Sequence, residues 1–257
     1  MSSQNNPRSS LFGALFVPVL VVGALIVVAI LVMSFTGNSK RAAPSPGDGP
    51  RQLEAATMDE LRNTYDKRGE SIGNADAPVT VREFGDYQCP ACGQFEPTAE
   101  KIRDEYVETG KVRFIFFDFP LQMHPHAQQA AVAARCAAKQ GKFWAYHNRV
   151  YATQNQWAAK SDPTSTFLDL AVETGVDATQ LKQCMASNEP LANINAERDA
   201  GLAIKLQATP TILVDNTEFV GAPSYERLKK AIDDALATAD QGTDQSAPQD
   251  TESDNAQ

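Results

Sequence analysis

The chain has 257 residues, of which 42% are hydrophobic, and it carries a formal net charge of −9 at pH 7. This length allows one large domain or two small ones. The excess of acidic residues argues against nucleic-acid binding, because phosphates would be repelled by such a surface.

The N-terminal region contains a segment that is long enough to cross a membrane. A polar stub, residues 1–10, precedes an uncharged apolar run, residues 11–35, and a Pro- and Gly-containing linker, residues 36–52. At about 1.5 Å per residue, a helix over this run spans a hydrocarbon core of about 30 Å. A cleavable signal peptide has a shorter apolar run and a small-residue cleavage site, which Ser39 to Ala43 do not match well. We therefore predict a single transmembrane helix rather than a buried core helix.

Charges beside the predicted anchor do not fix its orientation. Arg8 and the α-amine precede the apolar run, and Lys40 and Arg41 follow it, so the positive-inside rule gives no clear answer. The orientation has to be inferred from the cysteines.

Residues 53–240 have the pattern of one α/β domain. Turn residues and alternating or apolar runs predict, in chain order, the following elements. They are a helix from a Thr57–Glu60 capping box to about Tyr65, a strand at Val79–Phe84, a helix at Pro90–Thr109 ended by Gly110, and a strand at Val112–Phe119.

A helical insertion at about 121–206 interrupts this α/β pattern, with stop and start signals for four or five short helices. Strands at Thr211–Val214 and Glu218–Val220 form a predicted hairpin, and a last helix runs from a Ser224 cap to about Thr238. Residues 241–257 are acidic and poor in apolar side chains, which predicts a disordered tail.

Cys89-Pro90-Ala91-Cys92 lies between the first long strand and the first long helix, at the predicted helix N-terminus. Unpaired amides there favour a thiolate, so Cys89 is the predicted attacking thiol and Cys92 the thiol that resolves the mixed disulfide. Pro90 suits the first helical turn, where no amide hydrogen is required. A static disulfide and half of a zinc site are the alternatives, but no second Cys-x-x-Cys pair is present.

The two other cysteines, Cys136 and Cys184, both fall in the helical insertion. We interpret them as a structural disulfide, with two buried free thiols as the alternative. A disulfide of this kind indicates an oxidising compartment, so the domain is predicted to face the outside of the cell membrane.

Glu83 and Pro210 are further candidates for the site. Glu83 lies among apolar residues of its strand, where burial would raise its pKa and let it accept a proton from Cys92. The alternative is an edge-strand carboxylate in water. Pro210 precedes a strand and has either a cis or an ordinary trans bond to Thr209. His124 and His126 are interpreted as residues of a helix start rather than as metal ligands.

Five motifs together resemble the DsbA-like branch of the thioredoxin superfamily over about residues 70–238. They are VREFGDYQCPACGQFEP, VRFIFFDFPL, HPHAQQAAVAARCAA, GKFWAYH and ATPTILVD. The resemblance implies a thioredoxin fold interrupted by a helical domain. It also implies Cys89 as nucleophile, Cys92 as resolving thiol, Glu83 as the buried acid, and a cis Pro210 with Thr209 binding an extended substrate segment.

Two departures from the family pattern bear on the chemistry. Ala91 cannot donate a hydrogen bond or bring positive charge to the thiolate, which predicts a weaker oxidant. Phe117 stands where a basic residue would be expected, so Glu83 is predicted to lack an obvious cationic partner.

The favoured function is a monomeric oxidase without cofactor or metal that donates the Cys89–Cys92 disulfide to unfolded or newly exported cysteine-containing proteins. A DsbB-like or VKOR-like quinone-linked membrane partner would reoxidise it. The alternatives are a disulfide reductase or isomerase, and a tethered peptide-binding chaperone module. An isomerase of this superfamily would usually need a dimerisation module, and the segment before Val79 is too short for one.

Overall fold

The computed structural model describes residues 49–187 and 189–244. The predicted stub, the membrane anchor at 11–35 and most of the linker lie outside these residues. Within them, no helix is both long and apolar enough to span a bilayer.

A six-stranded sheet forms the centre of the described chain, with strand order β1-β6-β5-β3-β4-β2. The strands are β1 (Arg51–Gln52), β2 (Glu70–Ile72), β3 (Val79–Gly85), β4 (Val112–Asp118), β5 (Thr211–Val214) and β6 (Thr217–Val220). The β3–β4 pair is parallel and the other neighbours are antiparallel. A parallel pair needs a crossover helix, which explains the helix between β3 and β4.

Nine helices occur among the described residues, and six of them form the insertion between β4 and β5. They are α1 (Ala55–Glu60), α2 (Pro90–Ile102), α3 (Ala127–Ala138), α4 (Phe143–Ala152), α5 (Gln154–Trp157), α6 (Thr164–Glu173), α7 (Ala178–Ala186), α8 (Leu191–Ala203) and α9 (Tyr225–Asp244). Helices α1 and α2 each continue as a π-helical turn, at Leu61–Tyr65 and Arg103–Val107.

Both faces of the sheet are buried, as the strand β4 shows. Successive side chains of β4 point to opposite sides of the sheet, and helices pack on each side. Phe114 packs with apolar residues of α2 and α9, whereas Ile115 and Phe117 pack with α1 and α8. Phe116 joins a third cluster, formed mainly by the helical insertion, that also contains Cys89 and Cys92. The insertion therefore covers the end of the sheet where the two cysteines lie.

The α/β pattern and the helical insertion are observed where the sequence predicts them, but several boundaries differ. The insertion has six helices rather than four or five. The additional break lies at Thr153, between α4 and α5, where neither Gly nor Pro marks it in the sequence. The first helix begins at Ala55 rather than at a Thr57 capping box. Its N-cap residue, Glu54, makes no side-chain cap, and burial of Met58 holds the helix instead.

Two further differences concern the ends of the domain. Arg51 and Gln52, predicted as linker, form the edge strand β1, where Arg51 pairs with Glu218 at 2.6 Å and Gln52 bonds to Thr217. Helix α9 runs to Asp244 rather than Thr238, so the first four residues of the predicted tail are helical. Residues 245–257 lie outside the described residues.

A disulfide bond and the ion pairs of a buried arginine hold the helices of the insertion in place. Cys136 of α3 and Cys184 of α7 are bonded, with an S–S distance of 2.02 Å. The adjacent Arg135 bonds to Asp118 at 2.6 Å, to Glu70 at 2.7 Å and to Glu197 at 2.5 Å. This one guanidinium thus joins α3 to β4, β2 and α8.

Replacing Arg135 with Met should lower the free energy of unfolding by about 3–5 kcal/mol, because Asp118 and Glu197 would be left buried without their cation. Arg149→Met is the matched control, since the Arg149–Glu173 pair is half-exposed and should contribute less than about 1 kcal/mol. Urea denaturation measures both values. Equal losses in the two variants would contradict this account of the Arg135 cluster.

Candidate active site

The two free cysteines lie where β3 passes into α2. Cys89 is the N-cap residue of α2, and its carbonyl accepts hydrogen bonds from the amides of Cys92 and Gly93 at 3.1 and 3.2 Å. Pro90 occupies the first helical turn, as the sequence predicts. The amides of the first turn therefore surround the Cys89 sulfur with positive partial charge.

Cys89 is strongly acidified in this environment. A hydrogen bond from the Cys92 thiol is the main reason that the pKa of Cys89 is lowered to about 5. The Thr209 side chain and the amides of Cys92 and Ala91 contribute further, and partial burial opposes them. At neutral pH the Cys89 sulfur is accordingly a thiolate, the form that attacks disulfides.

Cys92 behaves in the opposite way. Its sulfur is fully buried and accepts a hydrogen bond from the Asp86 amide at 3.5 Å. Burial and the neighbouring Cys89 raise the pKa of Cys92 well above its ordinary value. The pair therefore consists of one thiolate, Cys89, and one protonated thiol, Cys92, that donates to it.

Glu83 of β3 is fully buried, and neither of its carboxylate oxygens has a hydrogen-bond partner among the described residues. Burial, and then the charge of Glu96, raise the pKa of Glu83 well above its usual range, while Arg103 opposes this shift. Glu83 also acts electrostatically on Cys92. A neutral, unpaired carboxyl group near a buried thiol can exchange a proton with it.

Sequence reasoning missed a buried polar network beside Glu83. Arg103 donates to Glu96 at 2.5 Å, and the ring of His147 lies 3.2 Å from Glu96 and 2.8 Å from the Tyr87 hydroxyl. Burial favours neutral Glu96, but His147 and Arg103 outweigh it and hold the pKa of Glu96 below its usual value.

Glu83 was expected to lack an obvious cationic partner, and neither of its oxygens has a hydrogen-bond partner among the described residues. Arg103 acts on Glu83 only through its charge; it pairs with Glu96 and lies in the π-helical extension of α2. At position 117, Phe117 stacks on Phe84 with ring centroids 4.7 Å apart. Glu96 and Arg103 lie two turns apart on the otherwise apolar face of one helix. Polar residues on that face were the available sequence signal.

Thr209 and Pro210 lie directly beside Cys89. The Thr209–Pro210 peptide bond is cis, and the Thr209 carbonyl oxygen is 3.3 Å from Cys89 Sγ. The loop before β5 therefore forms one wall of the site.

Gln154, which the sequence analysis did not single out, binds the cysteine loop from the helical insertion. Its side-chain amide donates to the carbonyls of Tyr87 and Cys89 at 2.7 and 2.9 Å. Gly93 permits this approach, because a Cβ atom there would lie 2.8 Å from Gln154 Oε1. The insertion thus holds the active-site loop through direct hydrogen bonds.

Asp86 anchors the other side of the loop. Its buried carboxylate accepts hydrogen bonds from the amides of Gln88 and Leu121 at 2.7 and 2.9 Å and from His124 at 2.7 Å. His126 is the N-cap residue of α3, in agreement with a helix start. Among the residues that the structure describes, no cluster of three or more His, Cys, Asp or Glu could hold a metal ion.

Comparison with known proteins supports the same chemistry. The thioredoxin family model matches residues 66–234. The chain is 30% identical over 172 residues to a probable disulfide bond formation protein D of Bacillus anthracis, covering 65% of this chain and 78% of that protein. It is also 33% identical over 168 residues to Na(+)/H(+) antiporter NhaA 3 of Salinispora tropica, of which it covers 24%.

Solved structures agree in fold. BdbD from Bacillus subtilis in its oxidised form matches with a TM-score of 0.61 and 28% identity, over 66% of this chain and 94% of that one. The alpha-DsbA1 structure from Wolbachia pipientis matches with a TM-score of 0.61 and 21% identity, over 68% and 94% of the two chains. The second likeness concerns the fold alone.

Replacing Cys92 with Ala should raise the pKa of Cys89, because the thiol that donates the main stabilising hydrogen bond is lost. Alkylation of the reduced protein by iodoacetamide, measured against pH, should lose half its rate near pH 5 in the wild type and at higher pH in the variant. Cys92→Ser keeps a donor and should give a midpoint between the two. An unchanged midpoint in Cys92→Ala would assign the acidification to the helix amides alone.

Proposed function

Because the chain belongs to the thioredoxin family and is a DsbA-like thiol–disulfide oxidoreductase, we propose that it works as an oxidase. In this role the Cys89–Cys92 disulfide passes to unfolded or newly exported proteins that carry reduced cysteines. The observation that carries this direction of transfer is the place of Cys89 at the N-terminus of α2 beside the buried Cys92, an arrangement that lowers the pKa of Cys89 to about 5.

A low pKa at Cys89 favours donation of the disulfide because it stabilises the reduced enzyme. A thiolate that is stable at neutral pH is a good leaving group and makes the oxidised form easier to reduce. The hydrogen bond from Cys92 supports this stabilisation even though Ala91 supplies none through its side chain. The prediction of a weaker oxidant was based on Ala91 alone and did not consider the hydrogen bond from the Cys92 thiol.

The reaction proceeds by two thiol–disulfide exchanges. A substrate thiolate attacks Cys89 Sγ, the Cys89–Cys92 bond breaks, and Cys92 leaves as a thiolate that takes up a proton. A second substrate thiolate then attacks the substrate sulfur of the mixed disulfide, and Cys89 leaves as a thiolate. The substrate loses two electrons and gains a disulfide, while the enzyme gains the two electrons.

We assign Glu83 the role of exchanging the proton of Cys92. Burial and the charge of Glu96 raise the pKa of its carboxyl group, which favours the protonated form, and the group has no competing hydrogen bond among the described residues. When Cys92 departs as a thiolate inside the core, a nearby acid removes an otherwise costly buried charge. Reoxidation requires the reverse transfer, which the same carboxylate can accept.

Thr209 and Pro210 are proposed to bind the substrate backbone. The wall that they form lies beside Cys89, where an extended segment would add to the site as a strand does to a sheet edge. The Cys136–Cys184 disulfide supports a catalytic domain outside the cytoplasm. A single-pass anchor at 11–35 would keep it near a quinone-linked, DsbB-like or VKOR-like partner.

The equilibrium constant for reduction of the enzyme by glutathione should rise about tenfold per pH unit between about pH 5 and 8.5. In this range the reduced enzyme releases the Cys89 proton, whereas ordinary thiols retain theirs. The effect is present above the lowered pKa and is lost as the pH falls through it. Gel-shift alkylation of the full chain in defined glutathione buffers measures the constant.

The control for this titration is Cys89→Ser, which cannot form the disulfide and should not oxidise a reduced unfolded protein. A wild-type potential more negative than about −270 mV, as in thioredoxin, would indicate a reductase instead. Undiminished activity of Cys89→Ser would indicate a binding module.

Replacing Glu83 with Gln should slow reduction of the enzyme by substrate thiols by about a hundredfold, because Cys92 would lose its proton donor. Stopped-flow fluorescence of the reduction step measures this rate. Glu100→Gln, an exposed carboxylate on α2, the helix that carries Cys92, is the matched control and should change it little. If the Glu83 variant reacts at the wild-type rate, the proton reaches Cys92 by another route.

A further inference from the structure

A groove beside the active site has no role in the reaction described so far. It lies between the loop that follows β4 and helices α3, α7 and α8, and has a volume of about 720 Å³. A second groove of about 350 Å³ shares Pro120, Leu121, Gln122 and Arg198 with it. This second groove reaches Gln207, two residues before Thr209. The combined channel therefore runs from Gln207, in the segment that precedes the Thr209–Pro210 wall, to the helical insertion.

The charged side chains that line this channel are all cationic. Lys182 and Arg198 line it together with His124, and no Asp or Glu of the described residues does so. Neither Lys182 nor Arg198 makes an ion pair or a side-chain hydrogen bond within residues 49–187 and 189–244. These two cations line a groove of a chain whose net charge is −9.

The smaller groove of the channel contains two exposed apolar side chains. Met123 and Leu202 line the smaller groove and are 78% and 49% exposed, which makes them two of the three exposed large hydrophobic side chains in the described part of the chain. Exposed apolar groups beside unpaired charges are characteristic of a surface that binds a partner. The channel thus offers exposed apolar groups and positive charge next to each other, since Arg198 lines both grooves.

Hydrogen bonds connect the channel to the catalytic loop. His124 bonds to the Asp86 carboxylate at 2.7 Å, and the Asp86 amide in turn donates to Cys92 at 3.5 Å. A polypeptide whose cysteine reacts at Cys89 would pass along Thr209 and enter this channel. The occupant that fits both continuity and charge is therefore part of the substrate chain.

We propose that this channel binds a segment of the substrate polypeptide next to its reacting cysteine, and that it selects segments that carry both apolar side chains and carboxylates. This inference rests on the proposed oxidase function and names the substrate class of that site. Lys182 and Arg198 are its specificity-determining residues. Because complementary charge mainly accelerates encounter and excludes other partners, the selection should appear in kcat/KM.

The test compares two reduced dicysteine peptides that differ only in four flanking residues, all Glu in one and all Lys in the other. The enzyme is the full 257-residue chain in a neutral detergent. Net charge alone would favour the Lys peptide, whereas the channel predicts that the Glu peptide has a kcat/KM roughly three- to tenfold higher. Added NaCl should reduce this preference by screening.

The double variant Lys182→Glu/Arg198→Glu should abolish or reverse the preference. Lys111→Glu is the matched control, since Lys111 precedes β4 and lies more than about 20 Å along that strand from the loop of the groove. The control should keep the wild-type preference. Thermal unfolding shows whether each variant is folded, and the salt dependence of the wild type tests the proposal without any variant.

Binding separates this inference from the proposed function. Fluorescence anisotropy with Cys89→Ser and labelled cysteine-free peptides should again favour the Glu peptide. If no peptide is oxidised but this preference remains, the oxidase proposal fails and the channel assignment stands.

Equal oxidation of both peptides, or faster oxidation of the Lys peptide, would overturn the channel assignment alone. Displacement of the Glu peptide by micromolar sn-glycerol 1-phosphate at matched ionic strength would assign the channel to a lipid headgroup and also overturn it.

Discussion

The chemistry of this protein depends on one hydrogen bond, from the Cys92 thiol to the Cys89 sulfur, made at the first turn of α2. The bond separates the acidities of two chemically identical groups, because the donor must keep its proton while the acceptor loses it. Everything that holds the two sulfurs at this spacing then matters for function. That includes the amides of the helix turn, the Asp86 amide and the insertion residue Gln154.

Behind the two sulfurs, the core contains more carboxylate than cation. Glu83 and Glu96 are both buried, and Arg103 pairs with Glu96 rather than with Glu83. A buried carboxylate without a partner is stable only in its protonated form. The assignment of Glu83 as the proton-exchanging group therefore follows from how the neighbouring charges are paired, and not from its position beneath the cysteines alone.

The sequence was sufficient for those features that depend on local pattern. The strand before Cys89, the helix beginning at Pro90 and the hairpin at Asp215-Asn216 each have their own signals, and the structure contains all three. The short edge strands β1 and β2 were missed because two or three residues are too few to show alternation. The contact of Glu96 with His147 joins α2 to α4, two helices whose packing no local pattern predicts.

The Cys136–Cys184 bond has a consequence for how this protein matures. If the domain works outside the cytoplasm as the proposed oxidase, a newly synthesised copy arrives there with four reduced cysteines, and each new molecule is itself a substrate of molecules that are already mature. The first copies in a cell that lacks such molecules must acquire the bond from a small-molecule oxidant or another enzyme. Biogenesis is then self-reinforcing, and its onset should show a lag that shortens as mature protein accumulates.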